Sequence, residues 1–100
     1  MSARIPIDRE RVANFCRRHH IRRLSLFGSV LRDDFRPDSD VDVLVEFEPE
    51  ARVTLFDLVH MQDELGALFG RQVDLVEKAG LRNPFRRHEI LTTAEALYAA

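Results

Sequence analysis

The sequence predicts a small α/β fold of the α+β kind, in which a mixed β-sheet is covered by helices. Short apolar runs typical of strands alternate along the chain with amphipathic segments typical of helices. The length of 100 residues suits one domain with a modest core. We therefore predict a single domain that spans residues 1–100.

The first half of the chain contains one predicted helix and two predicted strands. Asp8 is suited to cap a helix from about Arg9 to His19, because its carboxylate can accept hydrogen bonds from the first turn. Ile21–Phe27 and Val41–Phe47 are apolar runs of strand length. The segment between them, Ser29–Asp34, is predicted to form a short helix.

A second long helix is predicted from its capping signals. Thr54 and Asp57 have the spacing of a capping box, and Gly70 is suited to end the helix after about Phe69. The apolar stripe predicted for this helix consists of Leu55, Leu58, Val59, Leu65, Leu68 and Phe69.

The last quarter of the chain is predicted to form a third strand and a final helix. Gln72–Val76 is the strand, Gly80–Pro84 breaks the chain, and Arg87–Tyr98 is the helix. One apolar stripe of this helix either docks a partner or packs on the chain's own sheet, and we favour packing for most of its members, which are Ile90, Leu91, Ala94, Leu97 and Tyr98.

Composition excludes several classes of protein. The formal net charge of −2 provides no strong signal for nucleic-acid binding. Cys16 is the only cysteine, so no internal disulfide can form, and a reducing cytoplasm is the expected location. We expect no signal segment and no membrane span. The four histidines lack the partners and spacing of a zinc site.

The most informative segment is LFGSVLRDDFRPDSDVDVLVEF, from Leu26 to Phe47. An apolar strand leads into Gly28-Ser29, and after ten intervening residues Asp40 and Asp42 open the next strand. Because side chains alternate along a strand, these two carboxylates should project from the same face. Such a pair is stable mainly when a divalent cation lies between its members, and the Gly-Ser turn can direct backbone N–H groups at phosphates.

Asp74 stands alone among apolar residues in the third predicted strand. In an arbitrary protein we would expect it to face solvent at a sheet edge. Here the intervening helix is long enough to return this strand beside the one that carries Asp42, so Asp74 would project from the same face.

The pattern of these residues resembles the nucleotidyltransferase superfamily that includes DNA polymerase β, and in particular its minimal nucleotidyltransferase branch. Gly28-Ser29, Arg32, Arg36-Pro37 and Ser39-Asp40-Val41-Asp42 match in type, order and spacing. Asp33 departs from the glycine that many relatives carry, but it lies outside the expected ligand set. The resemblance extends from about Ile21 to the end of the chain.

The resemblance implies an enzyme with two Mg²⁺ ions as cofactors and ATP as substrate. Asp40 and Asp42 would bridge the ions, and Asp74 would bind one of them and act as the base. The nucleotide would be bound by residues of the motif, which are Gly28, Ser29, Arg32 and Ser39. Each of these four residues has a structural alternative: Gly28 is an ordinary turn residue, Ser29 caps the short helix, Arg32 pairs with nearby aspartates, and Ser39 is a turn residue.

The resemblance also implies a partner. Stand-alone members of this branch usually act as antitoxins that transfer AMP to a tyrosine of a small helical HEPN toxin, with which this chain would form a complex. Two alternatives are an antitoxin that only binds its toxin, and nucleotidyl transfer to a small molecule or RNA. The three aspartates favour the enzymatic interpretation, because a protein that only binds has no need of them.

Overall fold

A computed structural model describes residues 5–32 and 35–100 and confirms the predicted fold class. Two short 3₁₀ turns, Gly28–Leu31 and Lys78–Gly80, accompany the regular elements. The helices and strands are α1 (Arg9–Arg18), β1 (Ile21–Phe27), β2 (Val41–Phe47), α2 (Leu55–Phe69), β3 (Val73–Glu77), α3 (Pro84–Thr93) and β4 (Glu95–Ala99).

The four strands form one mixed sheet in the order β3-β2-β1-β4. β1 pairs antiparallel with both β2 and β4, whereas β2 and β3 run parallel. Two parallel neighbours need a crossover connection, and α2 provides it. In this β2–α2–β3 unit both strands therefore start at the same end of the sheet, and residues near their starts lie side by side.

The main core lies between one face of the sheet and the helices α1 and α2. Val41, Val43 and Val45 of β2 are fully buried on this face. The helices contribute side chains at helical spacing, which are Val12, Phe15 and Cys16 from α1 and Met61, Leu65 and Phe69 from α2. Burial raises the pKa of the Cys16 thiol to about 12, which makes it an unreactive core residue.

The opposite face of the sheet has a second and smaller cluster. Phe27, Leu44 and Ile90 are buried together there, so α3 covers part of this face. Since Leu44 projects to the α3 side, Asp42, two residues earlier on the same strand, projects to that side as well.

The capping predictions for the first two helices are confirmed. The Asp8 carboxylate accepts a hydrogen bond of 3.2 Å from the Arg11 N–H. Thr54 and Asp57 form the reciprocal capping box at the start of α2. Gly70 ends α2 in the left-handed conformation, with φ of 67°. These signals depend on only a few neighbouring residues, which is why sequence reasoning could find them.

Part of the predicted stripe of α2 is wrong. Leu55 and Val59 are 76% and 51% exposed, and Met61, which the prediction omitted, is buried. At 3.6 residues per turn, Leu55 and Val59 lie about 120° and 160° round the helix from Met61. They therefore cannot contact the sheet together with it.

The predicted final helix Arg87–Tyr98 is also wrong. Asn83 caps α3, which begins earlier at Pro84 and ends at Thr93. The backbone is extended at Ala94, and β4 then pairs with the open edge of β1. Pairing satisfies the backbone groups of β1 and buries Leu97, a long-range gain that local helix propensity does not include.

Because α3 ends at Thr93, the five residues of the predicted apolar stripe do not lie on one helix. Leu97 lies on β4, and Ile90 of α3 is buried against the chain's own sheet. The predicted break at Gly80–Pro84 overlaps the start of α3, and β3 is shifted by one residue from the prediction, to Val73–Glu77. The helix predicted over Ser29–Asp34 is a single 3₁₀ turn that ends at Leu31, and its last two predicted residues lie outside the described part of the chain. None of the described helices is both long and apolar enough to cross a membrane.

Candidate active site

Asp42 and Asp74 are held side by side by the pairing of β2 with β3. The two residues are direct partners in the parallel register, and neighbouring strands lie about 4.8 Å apart. Partners in a register project from the same face of a sheet. Asp42 is half-buried and Asp74 is exposed, so the face that they share is open to solvent.

Asp40 lies immediately before β2, on the exposed surface next to this pair. Burial and the negative charges of Asp74 and Asp40 raise the pKa of Asp42 above its ordinary value of 3.8, while Arg86 and Arg32 oppose this effect. The structure therefore brings all three sequence-predicted carboxylates into one electrostatic site.

Gly28 provides the close backbone approach that this site requires. It follows the end of β1, where Phe27 pairs with Asp42, and its φ is 76°. A Cβ atom at this position would lie 2.3 Å from Oδ2 of Asp42. The gap between the Gly28 backbone and the Asp42 carboxylate is therefore too small for a side chain at position 28.

Ser29 lies in the 3₁₀ turn that follows, and the buried Val30 anchors this turn in the core. No side chain caps the turn, so the structural alternative that Ser29 acts as its cap is not observed. The Ser29 carbonyl accepts a hydrogen bond of 2.9 Å from the Arg32 N–H. This bond places Arg32 at the end of the turn, where its positive charge acts on Asp42.

The segment that leads into Asp40 is fixed by Arg71, a residue that sequence reasoning missed. Its guanidinium donates hydrogen bonds to the carbonyls of Arg36 (2.7 Å) and Ser39 (2.8 Å) and lies 4.4 Å from the centre of the Phe35 ring. The Ser39 hydroxyl accepts a hydrogen bond of 3.1 Å from the Arg36 N–H. This turn contact is the structural alternative that the sequence left open for Ser39.

The three aspartates offer the oxygen ligands that Mg²⁺ prefers. Among residues 5–32 and 35–100, no three or more His, Cys, Asp and Glu side chains are gathered closely enough to hold a metal ion by themselves. Asp40 and Asp74 are nevertheless close enough for their negative charges to act on Asp42. Because Mg²⁺ is usually bound by one or two carboxylates together with water and phosphate oxygens, the set fits an ion shared between the protein and a nucleotide.

A separate cavity of about 430 Å³ lies near the other end of β2. Its lining includes Glu46, Lys78 and Arg87, and none of the three aspartates lines it. The candidate site is instead an open surface. In the cavity the Lys78 ammonium forms an ion pair with Glu46, whereas the three aspartates of the candidate site bring negative charges together.

Aspartates on adjacent strands of a small mixed sheet, next to a Gly-Ser turn, are suited to bind a metal ion and phosphate groups, as proteins that transfer nucleotides must. The family described as the nucleotidyltransferase domain matches residues 9–97 of this chain. The chain belongs to this family of enzymes.

Two curated relatives are similar to the chain. The protein adenylyltransferase MntA of Thermococcus cleftensis is 39% identical over 66 residues, which are 66% of this chain and 65% of that protein. The chain thus spans just under two thirds of that relative. A Methanocaldococcus jannaschii protein assigned the same activity is 36% identical over 77% of this chain and 80% of its own length.

Two solved structures extend the comparison. One, described as a minimal nucleotidyltransferase, is 42% identical, with a TM-score of 0.70 over 86% of this chain and 85% of that one. A toxin–antitoxin structure with AMP-PNP is 17% identical, with a TM-score of 0.74 over 94% of this chain and 75% of that one. The second similarity concerns the fold alone.

Proposed function

We propose that this chain is a Mg²⁺-dependent protein adenylyltransferase and the antitoxin of a HEPN toxin, to which it transfers AMP from ATP at a tyrosine. The observation that carries the proposal is the direct pairing of Asp42 with Asp74, with Asp40 beside them and the Gly28 turn against Asp42. We further propose that the protein acts in the cytoplasm.

The proposed reaction assigns a role to each group. The tyrosine oxygen attacks the α-phosphorus of ATP, the bond from that phosphorus to the bridging oxygen breaks, and pyrophosphate leaves. Asp74, which is exposed and can approach an incoming hydroxyl, accepts the tyrosine proton. Mg²⁺, held by Asp40, Asp42 and Asp74, would supply the positive charge that such a transfer requires.

The nucleotide would lie against the Gly-Ser turn. Backbone N–H groups and the Ser29 hydroxyl are donors suited to phosphate, and Arg32 adds positive charge at the end of the turn. Ser39 has a positioning role in this proposal, because its side chain and carbonyl hold the segment that precedes Asp40.

The choice of partner is supported by the relatives. One similar structure is described as a tri-AMPylated HEPN toxin of Shewanella oneidensis in complex with an MNT antitoxin; it has a TM-score of 0.66 and 17% identity. The acceptor site of this chain is an open surface, so a tyrosine carried by a folded protein could reach it.

The test is to co-express this chain with a HEPN-type toxin encoded beside it and to weigh the intact toxin by mass spectrometry. We expect mass gains in whole AMP units, which Asp40→Asn and Asp42→Asn eliminate. A tight complex without any mass gain, together with rescue of growth by Asp40→Asn, would instead establish an antitoxin that only binds its partner.

Asp74→Asn should separate binding from chemistry. We expect ATP–Mg²⁺ binding to be largely retained, because Asp40, Asp42 and the Gly28 turn remain. Transfer should fall by about 10²–10⁴-fold, the effect of a missing general base. Calorimetric titration and a labelled-ATP assay measure the two quantities, and equal losses in both would place Asp74 in the primary nucleotide site instead.

A further inference from the structure

Helix α3 carries a cationic side chain whose charge acts on the aspartate site. Ile90 of α3 is buried against Phe27 and Leu44 on the face of the sheet that carries Asp42. Arg86 lies four residues before Ile90, and side chains at that spacing share one face of a helix.

Ile90 packs next to the aspartate site, because Phe27, which is buried in the same cluster, is the register partner of Asp42. One turn of helix spans about 5.4 Å, so Arg86 lies about one turn from that cluster. The charge of Arg86 acts on Asp42, and more strongly than the charge of Arg32 does.

We infer that Arg86 binds a phosphate group of the nucleotide at this site, an inference that rests on the proposed function. The Arg86 side chain is exposed, and within the described part of the chain its guanidinium forms no ion pair. A guanidinium is always charged and presents paired donors that match phosphate oxygens. The Arg86 guanidinium can therefore bind a ligand without first breaking an ion pair within the described part of the chain.

Two other arginines lie close to Arg86 in the sequence, and one of them, Arg82, provides a control. Arg87 donates a hydrogen bond of 3.4 Å to the Lys78 carbonyl, which ties α3 to the preceding turn. Arg82 is exposed, precedes the Asn83 cap, and does not act on Asp42. Arg82→Met consequently removes the same charge from the same surface without changing the site.

The experiment measures the affinities of ATP and AMP, each with Mg²⁺, by calorimetry for four proteins: the unsubstituted chain, Arg86→Met, Arg86→Lys and Arg82→Met. We expect Arg86→Met to weaken ATP binding about 10- to 100-fold, the effect of a lost charge-assisted hydrogen bond. Arg86→Lys should recover part of this loss. Arg82→Met should change the ATP affinity less than threefold. Weakening of both nucleotides would place Arg86 at the α-phosphate, and weakening of ATP alone would place it at the β- or γ-phosphate.

Three results would overturn the inference. The first is an ATP affinity in Arg86→Met within twofold of the unsubstituted chain. The second is an equal loss in Arg82→Met, which would indicate only general surface charge. The third is a loss that accompanies a lower melting temperature and that Arg86→Lys does not recover, which would indicate a structural role.

Equilibrium binding keeps this inference separate from the proposed function. If the chain binds ATP in an Arg86-dependent manner but transfers no AMP to a toxin, then the proposed function fails and the inference about Arg86 stands. If transfer occurs and Arg86→Met binds and transfers normally, then the inference fails alone.

Discussion

Asp42→Asn is expected to abolish AMP transfer while the fold remains intact. Asp42 is the central carboxylate of the site, paired with Asp74 across the strands and close to Asp40. The substitution removes a negative charge from the proposed metal site. Such a site contributes several kcal/mol to transition-state stabilisation, so the rate should fall by about 10³-fold or more. Asp40→Asn should have a similar effect. Labelled ATP with the toxin as acceptor measures the rate.

The same substitution should leave stability unchanged or raise it in the absence of Mg²⁺. Because the pKa of Asp42 is raised above 3.8 in the folded protein, the folded state binds more protons than the unfolded chain between these two pKa values. The contribution of Asp42 to stability therefore falls as pH rises through that window and remains unfavourable at neutral pH. Asparagine carries no charge and avoids this penalty, so melting at pH 7 should occur at an equal or higher temperature.

The control is Asp63→Asn, which removes an exposed carboxylate from α2, away from the site. It should retain full activity. Full activity in Asp42→Asn itself would contradict the two-metal interpretation, and a large drop in its melting temperature would show that Asp42 has a structural role.

Gly28→Ala is expected to have the second largest effect. A Cβ at this position would lie 2.3 Å from Oδ2 of Asp42, so the carboxylate or the turn has to move. A displacement of about 1 Å at a reacting centre costs about 100-fold in rate. The left-handed backbone adds about 1–2 kcal/mol of destabilisation, because alanine is strained at a φ of 76°.

Gly70→Ala separates these two contributions. Gly70 has a similar φ of 67°, but a Cβ there would meet nothing within 4 Å. Both variants should therefore lose stability in thermal melting, Gly28→Ala at least as much as Gly70→Ala, and only Gly28→Ala should lose activity. Equal activities in the two variants would show that the close approach of Gly28 to Asp42 does not matter for function.

Local signals explain why much of the fold could be predicted from the sequence. Asp8 as a cap, the Thr54–Asp57 capping box and Gly70 as a helix end each depend on neighbours within a few residues. The strands Ile21–Phe27 and Val41–Phe47 were predicted with their observed bounds. The motif also predicted that Asp40 and Asp42 lie close together, and the charge of Asp40 does act on Asp42 although Asp40 precedes β2.

Long-range pairing decided the rest. The segment Glu95–Ala99 has the residues of a helix but becomes β4, because the edge of β1 offers it backbone partners. Arg71 and Arg86 reach the site from elements that are distant from the motif in sequence, and nothing in their local surroundings indicates this. The sequence by itself therefore determined the fold class, the capped helices and the carboxylate motif. The sequence also predicted that Asp74 lies on the face that carries Asp42. Only the tertiary structure decided the fourth strand, the register that makes Asp74 the direct partner of Asp42, and the positions of Arg71 and Arg86, because those depend on contacts between residues far apart along the chain.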